Sequence, residues 1–421
     1  MYHPITRATF NVTRACNLRC SYCFTHGCTY GRMNWDTARA GIRFLVQNAI
    51  DAQEREIEID FWGGEPLLEW DLIRQMAQYT RRVTPNNIRI RFGGTTNGVL
   101  LTPEKFDFCD EYRIGWMLSI DGTAETHDAY RKTILGHGSH GLIVGNAKLA
   151  LKRWPWLKAR FSPSAEFVHK FFEDAKYLYE LGFNHLMFSP VHESGWDAAS
   201  YGIMEEQSIK LIDWMAEQKK AGRTLSMEHF NTYGGPDHSK WPCGAGRFYV
   251  GIDIDGGIYP CHRFIKFNDP RPWHKREVAI GHVEIGITNP EWREQFITWT
   301  PGCKGAANSS DCYTNTPCHG GCYAVNFDLT GNIHTPAPSI CDYVAMQARV
   351  SQYYKACGLA NERAKYPRGR SCVCNNMCYA ENTEDEIKGL DPATNHTCIC
   401  YFADYTGSHN PDVARSLISK E

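Results

Sequence analysis

The sequence predicts an α/β protein whose parallel strands curl into a full or partial barrel, followed by a region dense in cysteine. Three observations predict it. Short strand-like segments alternate with helix-like ones through the first half of the chain. Gly-, Asn- and Asp-bearing turns fall at the C-terminal ends of those strands. The 421 residues include 18 cysteines, most of them beyond residue 240. Alternating strands and helices imply parallel strands with helices outside. Right-handed crossovers then curl the sheet, and ligands of such barrels sit at the C-terminal strand ends.

In order, residues 8–13 form a short strand ending just before Cys16. Residues 34–52 repeat Ile42, Leu45, Val46 and Ile50 at helical spacing, and residues 56–62 alternate Ile57, Ile59 and Phe61 as a strand does. The alternation continues with a helix at 71–82, a strand at 88–95, a helix at 103–112 and a strand at 116–120. A helix at 141–153, a strand within 159–167, a helix at 171–181, a strand at 185–189 and a helix at 204–219 complete it. A Gly- and Pro-rich stretch at 232–242 marks a boundary. Beyond it come a hairpin around Asp255-Gly256-Gly257, cysteine-dense loops, an amphipathic helix at 342–356 and a polar, Asn-rich tail after Gly358. The expected division is therefore 1–231, 232–357 and 358–421.

Lys plus Arg (45) nearly cancels Asp plus Glu (47), so no global basic field draws the chain to nucleic acid or a membrane surface. No apolar run approaches the ~20 residues of a membrane helix. Met1-Tyr2-His3-Pro4 lacks the pattern of a secretory signal. A cytoplasmic location is expected, and in that compartment thiolates are better explained as metal or cluster ligands than as disulfides. Cys109 falls on an apolar helix face and reads as packing.

The sharpest motif is Cys16-Asn-Leu-Arg-Cys20-Ser-Tyr-Cys23. Three thiolates within eight residues of a loop suit three irons of one cubane and leave the fourth iron open. The alternative is a zinc loop, with His26 or Cys28 as fourth ligand. C-x3-C-x2-C after the first strand resembles the radical S-adenosylmethionine (SAM) superfamily. The resemblance implies a partial (β/α)6 barrel and a 4Fe–4S cluster whose open iron is chelated by the SAM amine and carboxylate. One electron then breaks the sulfonium bond and yields a 5′-deoxyadenosyl radical. Gly63-Gly64-Glu65-Pro66 follows the second strand, as in that family, and is expected to receive the SAM amine through its backbone and Glu65. Two glycines also permit close backbone approach. Thr95-Thr96-Asn97-Gly98 and Ser119-Ile120-Asp121-Gly122 end the next strands, where Asn97 belongs to the site and Ser119 and Asp121 are expected at the ribose. Ordinary turn chemistry is their alternative. His127-Asp-Ala-Tyr-Arg131 resembles the segment with a carboxylate-binding arginine, which places Arg131 at the SAM carboxylate. Tyr22 matches the position that abuts adenine.

Cys243, Cys261, Cys303, Cys312, Cys318, Cys322 and Cys341 resemble the SPASM domain, which carries two auxiliary iron–sulfur clusters in radical SAM peptide maturases. The resemblance assigns Cys303, Cys312, Cys318 and Cys341 to one cluster and Cys243, Cys261 and Cys322 to the other. Two departures stand out. The gap between Cys303 and Cys312 is eight residues rather than two, and relatives with a further cysteine six residues after the first have it where Tyr249 stands. The second set then lacks a fourth thiolate. Structural zinc is the alternative for all seven. Cys357, Cys372, Cys374, Cys378, Cys398 and Cys400 have no family assignment and suit a further metal site or free thiols.

The resemblance implies a maturase that abstracts hydrogen from a peptide or protein and forms a thioether, a carbon–carbon crosslink or an oxidised side chain. A flavodoxin- or ferredoxin-like electron donor is the expected partner, with no nucleic acid and no membrane. Anaerobic sulfatase maturation is a second reading, but relatives doing it carry an acid immediately after the cysteine corresponding to Cys261, and here His262 follows. A non-catalytic zinc or iron–sulfur scaffold is a third. Only fifteen residues precede Cys16, so a built-in N-terminal leader-binding domain is not expected. Recognition then falls to a separate leader-binding protein, the C-terminal region or the barrel mouth. No residue is singled out as the catalytic base.

Overall fold

The computed structural model describes residues 3–25, 29–231, 243–266, 278–298 and 320–360. Strands β1 (Arg7–Thr13), β2 (Glu56–Gly63), β3 (Arg89–Thr96), β4 (Ile114–Ser119), β5 (Lys158–Phe161), β6 (His185–Phe188) and β7 (Ser226–Met227) pair in sequence order, each parallel to the next. Helices α1 (Trp35–Asp51), α2 (Trp70–Val83), α3 (Phe106–Tyr112), α4 (Ala124–Tyr130), α5 (His140–Arg153), α6 (Phe171–Leu181) and α7 (Ala198–Lys220) connect them. β7 has no further partner among the described strands, so the barrel is open.

Strand alternation sets what each face sees. In β2, Ile57, Ile59 and Phe61 are fully buried in the main core, while Glu58, Asp60 and Trp62 line an internal cavity. Their polar set is balanced in place. Arg91 of β3, itself buried, pairs with Glu56 and Glu58 at 3.3 and 3.6 Å. Asn34 caps α1 by accepting from the Thr37 N–H at 2.8 Å, which fixes the helix start one residue after the cap.

The sheet does not stop at β1. Strand β8 (Tyr249–Ile252) pairs with β1 in parallel, Arg7 opposite Tyr249 and Phe10 opposite Ile252. β9 (Gly257–Tyr259), β10 (Gly281–His282) and β11 (Gly286–Ile287) then follow antiparallel. The expected hairpin around Asp255 is the β8–β9 connection. Three helices complete this region: α8 (Pro290–Ile297), α9 (Tyr323–Thr330) and α10 (Pro338–Ala356). α10 packs on α7, where Arg349 forms a two-pronged ion pair with Glu205 at 2.8 and 2.6 Å.

Some expectations need adjustment. The strand placed within 159–167 is only Lys158–Phe161, because the Ser162 N–H turns to Asp121 and Pro163 follows. α7 begins six residues earlier than expected, at Ala198, behind a capping box of Asp197 and Ser200. α4, α8 and α9 were not foreseen. The boundary at 232–242 and the tail beyond 360 lie outside the described residues. Among the described residues no helix is long and apolar enough to cross a membrane.

Candidate radical SAM site

The cluster loop leaves β1 and is held on two sides. Its Arg19 and Ser21 N–H groups donate to Lys132 O and Tyr130 O at 2.7 and 3.1 Å, and Leu18 bridges Thr133. On the other side the Gly64 and Glu65 N–H groups donate to Thr13 O and Ala15 O at 2.8 and 2.9 Å. The glycines make that contact possible. Gly63 has φ +151°, and a Cβ there would lie 2.2 Å from Thr13 O; one on Gly64 would lie 2.2 Å from Ala15 O. The close approach they allow is to the chain's own cluster loop.

Cys16, Cys20 and Cys23 are all half-buried and none is in a disulfide. Polar groups surround the sulfurs: Leu18 N–H lies 3.4 Å from Cys16 Sγ, Asn97 Nδ2 lies 3.8 Å from it, and Thr25 Oγ1 lies 3.1 Å from Cys23 Sγ. Among the described residues, no three His, Cys, Asp or Glu side chains converge as ligands of a single metal ion. Thiols that each serve a separate iron of a cubane need no such convergence. His26 and Cys28, the fourth ligands of the zinc alternative, lie outside the described residues.

Glu65 is completely buried and ties two turns together. Its carboxylate accepts from Leu67 N–H at 3.1 Å, Thr96 Oγ1 at 2.7 Å and Asn97 N–H at 2.8 Å. Burial pushes its pKa up to about 7 against the pull of those bonds. Asn97 continues the chain of contacts, donating to Asn17 Oδ1 at 2.7 Å. The turns after β2 and β3 and the cluster loop are thus one hydrogen-bonded unit.

A second unit forms at the ends of β4 and β5. Arg131 grips Asp121 with Nε and Nη2 at 2.7 and 3.1 Å, and both are buried. Ser162 N–H at 2.9 Å and the Tyr22 hydroxyl also donate to Asp121. Burial opposes ionisation of Asp121, but the Arg131 charge and its hydrogen bonds win and hold the carboxyl below its usual range. His127, buried, positions the turn: its Nδ1 accepts from Asp121 N–H at 3.2 Å, and its Nε2 lies 3.0 Å from Ser139 Oγ. Asp121 and Arg131, expected at ribose and carboxylate, are therefore each other's main partners. The Arg131 Nη1 donors keep no partner among the described residues. Ser119 is half-buried at the strand end, also without a side-chain partner.

The auxiliary region places Cys243, Cys261 and Cys322 within electrostatic reach of one another. Burial pushes the Cys243 thiol up to about 11, with Cys322 adding, and pushes Cys261 further up, with Cys322 and Cys243 adding. Mutual electrostatic influence of this kind requires proximity. Burial favours the protonated forms of Cys243 and Cys261, and a metal or cluster bound there would displace those protons. Tyr249, where relatives carry a further cysteine, lies near Cys261. Its hydroxyl is 2.8 Å from Thr9 Oγ1 and 2.6 Å from His262 Nδ1. Of the other set, Cys341 sits in the first turn of α10, while Cys303, Cys312 and Cys318 lie outside the described residues.

The two sites are docked through residues that sequence reasoning missed. Asp253, buried just after β8, accepts from Asn11 Nδ2 at 2.6 Å and pairs with Arg14, beside the cluster loop. Lys266 donates to Phe24 O at 3.2 Å and to Asp328 at 3.0 Å. Inside the barrel runs a cavity of about 940 Å³, lined among others by Trp62, Arg160, His192, His262, Arg263 and Cys322.

Comparison with known proteins agrees with this geometry. Residues 10–155 match the Radical SAM superfamily. The chain is 25% identical over 64% of its length to the cysteine-type anaerobic sulfatase-maturating enzyme of Clostridium novyi, covering 74% of that protein. It is 26% identical over 86% of its length to mycofactocin maturase MftC of Mycobacterium tuberculosis, covering 88% of it. The solved structure of native anSMEcpe with bound AdoMet and Cp18Cys peptide superposes with TM-score 0.68 at 18% identity, over 84% of this chain and 99% of that one. Residues 10–155 carry the likeness to the Radical SAM superfamily, and the chain is an enzyme.

Proposed function

We propose that this enzyme is a maturase that modifies a peptide or protein by hydrogen abstraction, with two auxiliary clusters beside the SAM-binding one. The observation that supports the reading is that the cluster-loop side of β1 is tied through Asp253–Arg14 and Lys266–Phe24 to the region that carries Cys243, Cys261 and Cys322, the last of which lines the barrel cavity. A 4Fe–4S cluster on Cys16, Cys20 and Cys23 with SAM supplies the 5′-deoxyadenosyl radical. This chain's residues do the rest. The backbone of Gly63–Pro66 offers acceptors for the SAM amine, while the Glu65 carboxylate, already holding three donors, positions that turn. Arg131 presents Nη1 to the SAM carboxylate while Asp121 fixes the guanidinium plane. Ser119 faces the ribose, and Tyr22, tethered to Asp121, flanks the adenine. Cys243, Cys261 and Cys322 hold one auxiliary cluster and Cys303, Cys312, Cys318 and Cys341 the other. A flavodoxin- or ferredoxin-like protein supplies the electron.

Likeness to sulfatase-maturating relatives favours a second reading, formylglycine formation. His262 stands where those relatives carry an acid, and its Nδ1 is engaged with Tyr249. The test is anaerobic reconstitution with dithionite and SAM. The maturase reading expects 5′-deoxyadenosine and about twelve irons per chain, three cubanes of four. About four irons with bound zinc would overturn the auxiliary assignment. Formylglycine in a cysteine-bearing sulfatase peptide would establish the second reading instead.

A further inference from the structure

One charged side chain in the cavity is used by nothing described so far. Arg160 lies on β5, paired across the sheet with Ser119 of β4 and Met187 of β6. It lines the cavity beside Met117, Met187, His262 and Arg263. Its Nε is sealed from solvent without a hydrogen-bond partner, and no hydrogen bond or ion pair reaches its guanidinium among the described residues. Its charged surroundings have the wrong sign. Arg263 and Arg131 repel it, and the one carboxylate near enough to help, Asp121, is taken by Arg131, Ser162 N–H and Tyr22.

An arginine does not escape by losing its proton. Arg160 is half-buried with its Nε sealed, and a guanidinium so placed without a counter-charge is costly to the fold. Arg160 also has company: Nε of Arg263, Nδ1 of His192 and Nδ1 of His229 are likewise buried without partners. His229 lies close enough for the Arg160 charge to act on it. Arg160, Arg263 and His192 line one cavity, and the two arginine Nε donors left unfilled there suit an acceptor that is not part of the chain. The guanidinium fork matches a carboxylate in two parallel hydrogen bonds. Met117, Met187 and Trp62 beside it suit the apolar body that carries such a group.

We infer that Arg160 is the seat of a substrate carboxylate, from a C-terminal residue or an Asp or Glu side chain, in the barrel cavity that Cys322 also lines. The inference rests on the maturase reading for the identity of the ligand as a peptide. The same chemistry has one other source, the carboxylate of SAM.

The test uses the reconstituted full chain, with N-acetylphenylalanine and its C-terminal amide as probes in thermal-shift titrations, and equilibrium dialysis for SAM. Wild type should be stabilised by the acid at concentrations at least tenfold below those the amide needs, with saturating SAM present. Arg160→Met should abolish that preference, keep SAM affinity within threefold, and melt no lower than wild type without probe. Arg160→Lys keeps the charge but not the fork. It should weaken the acid about tenfold, leave the amide unchanged, and serve alone if the Met variant does not fold. Equal effects of acid and amide on wild type would overturn the inference. So would loss of the acid effect on adding SAM, or a tenfold drop in SAM affinity in either variant, which would give the seat to SAM. Failure of the maturase reading shows separately, as absence of SAM cleavage in wild type.

Discussion

The SAM-side site and the auxiliary cysteine site are built in different ways. At the first, the groups stand at strand ends or in the turns after them, except Arg131, which follows α4. Neighbouring turns lock to one another through Glu65, Asn97 and the Asp121–Arg131 pair. At the second, Cys243 and Cys261 flank the β8–β9 hairpin and Cys322 caps α9, so the thiols meet only once that hairpin has joined β1. The barrel site is specified strand by strand, and the auxiliary site depends on docking to the barrel. The dock is small and chemically explicit: Asp253 on Asn11 and Arg14, and Lys266 on Phe24 and Asp328.

The largest test separates the two sites outright. Replacing Cys16, Cys20 and Cys23 together with Ala should abolish 5′-deoxyadenosine formation and remove about four irons, leaving the irons of the auxiliary region in place. Loss of all iron would mean that the auxiliary site cannot assemble without the first cluster, and the two would not be independent. Next comes Asp121→Asn. It strips a buried arginine of its counter-charge, so we expect a loss of about 3–5 kcal/mol in urea unfolding together with weaker SAM binding. Unchanged stability would show that Arg131 finds another partner.

A smaller effect probes the dock. Asp253→Asn retains an acceptor for Asn11 but loses the charge that Arg14 faces, at a cost of roughly 1.5–3 kcal/mol. Its signature should be selective. Iron retention by the Cys243 set should fall while SAM cleavage at the first cluster persists. Equal loss of both would indicate one cooperative unit rather than a barrel with a docked extension.

The same contrast explains what was legible in the sequence. The parallel strands of the barrel announce themselves by alternation, as Ile57, Ile59 and Phe61 do, and the SAM-side turns by Gly, Asn and Asp at fixed places. α9 was invisible because Tyr323 to Asp328 are all buried, which leaves no polar face and no 3.6-residue period to find. α7 was started late because the sequence reading passed over the capping signal at Asp197 and Ser200. Pairing of β8 with β1 joins residues about 240 positions apart, and neither strand says so locally. Asp253 carries no motif either; only the fold shows that it meets Asn11 and Arg14. Arg160 did leave a trace, as one of two charged residues, with Lys158, in a four-residue strand whose even positions face the cavity.

The smallest effect concerns the buried carboxylates, and it sharpens the contrast by pH. Glu65 sits at a pKa near 7 because burial outweighs its three hydrogen bonds. Asp121 is held below its usual range because the Arg131 charge outweighs burial. The two therefore act on stability with opposite signs. A carboxyl raised from 4.5 to about 7 on folding stabilises the fold fully below pH 4.5, and that contribution is lost as pH rises through 7. The Asp121 contribution is present above its unfolded pKa and is lost only as pH falls through its depressed folded value. Glu65→Gln removes the first titration and leaves the second. Asp60 and Asp174, also pushed up to about 7 chiefly by burial, share the sign of Glu65 and remain in both proteins, so they cancel in the difference. Urea unfolding of wild type and Glu65→Gln should then show a stability difference that shifts against wild type by about 3 kcal/mol between pH 4.5 and 7.5 and is nearly flat above. Parallel pH profiles for the two proteins would show that the three donors keep Glu65 ionised throughout. The GGEP turn would then be held by an anion as firmly as the Asp121 turn is.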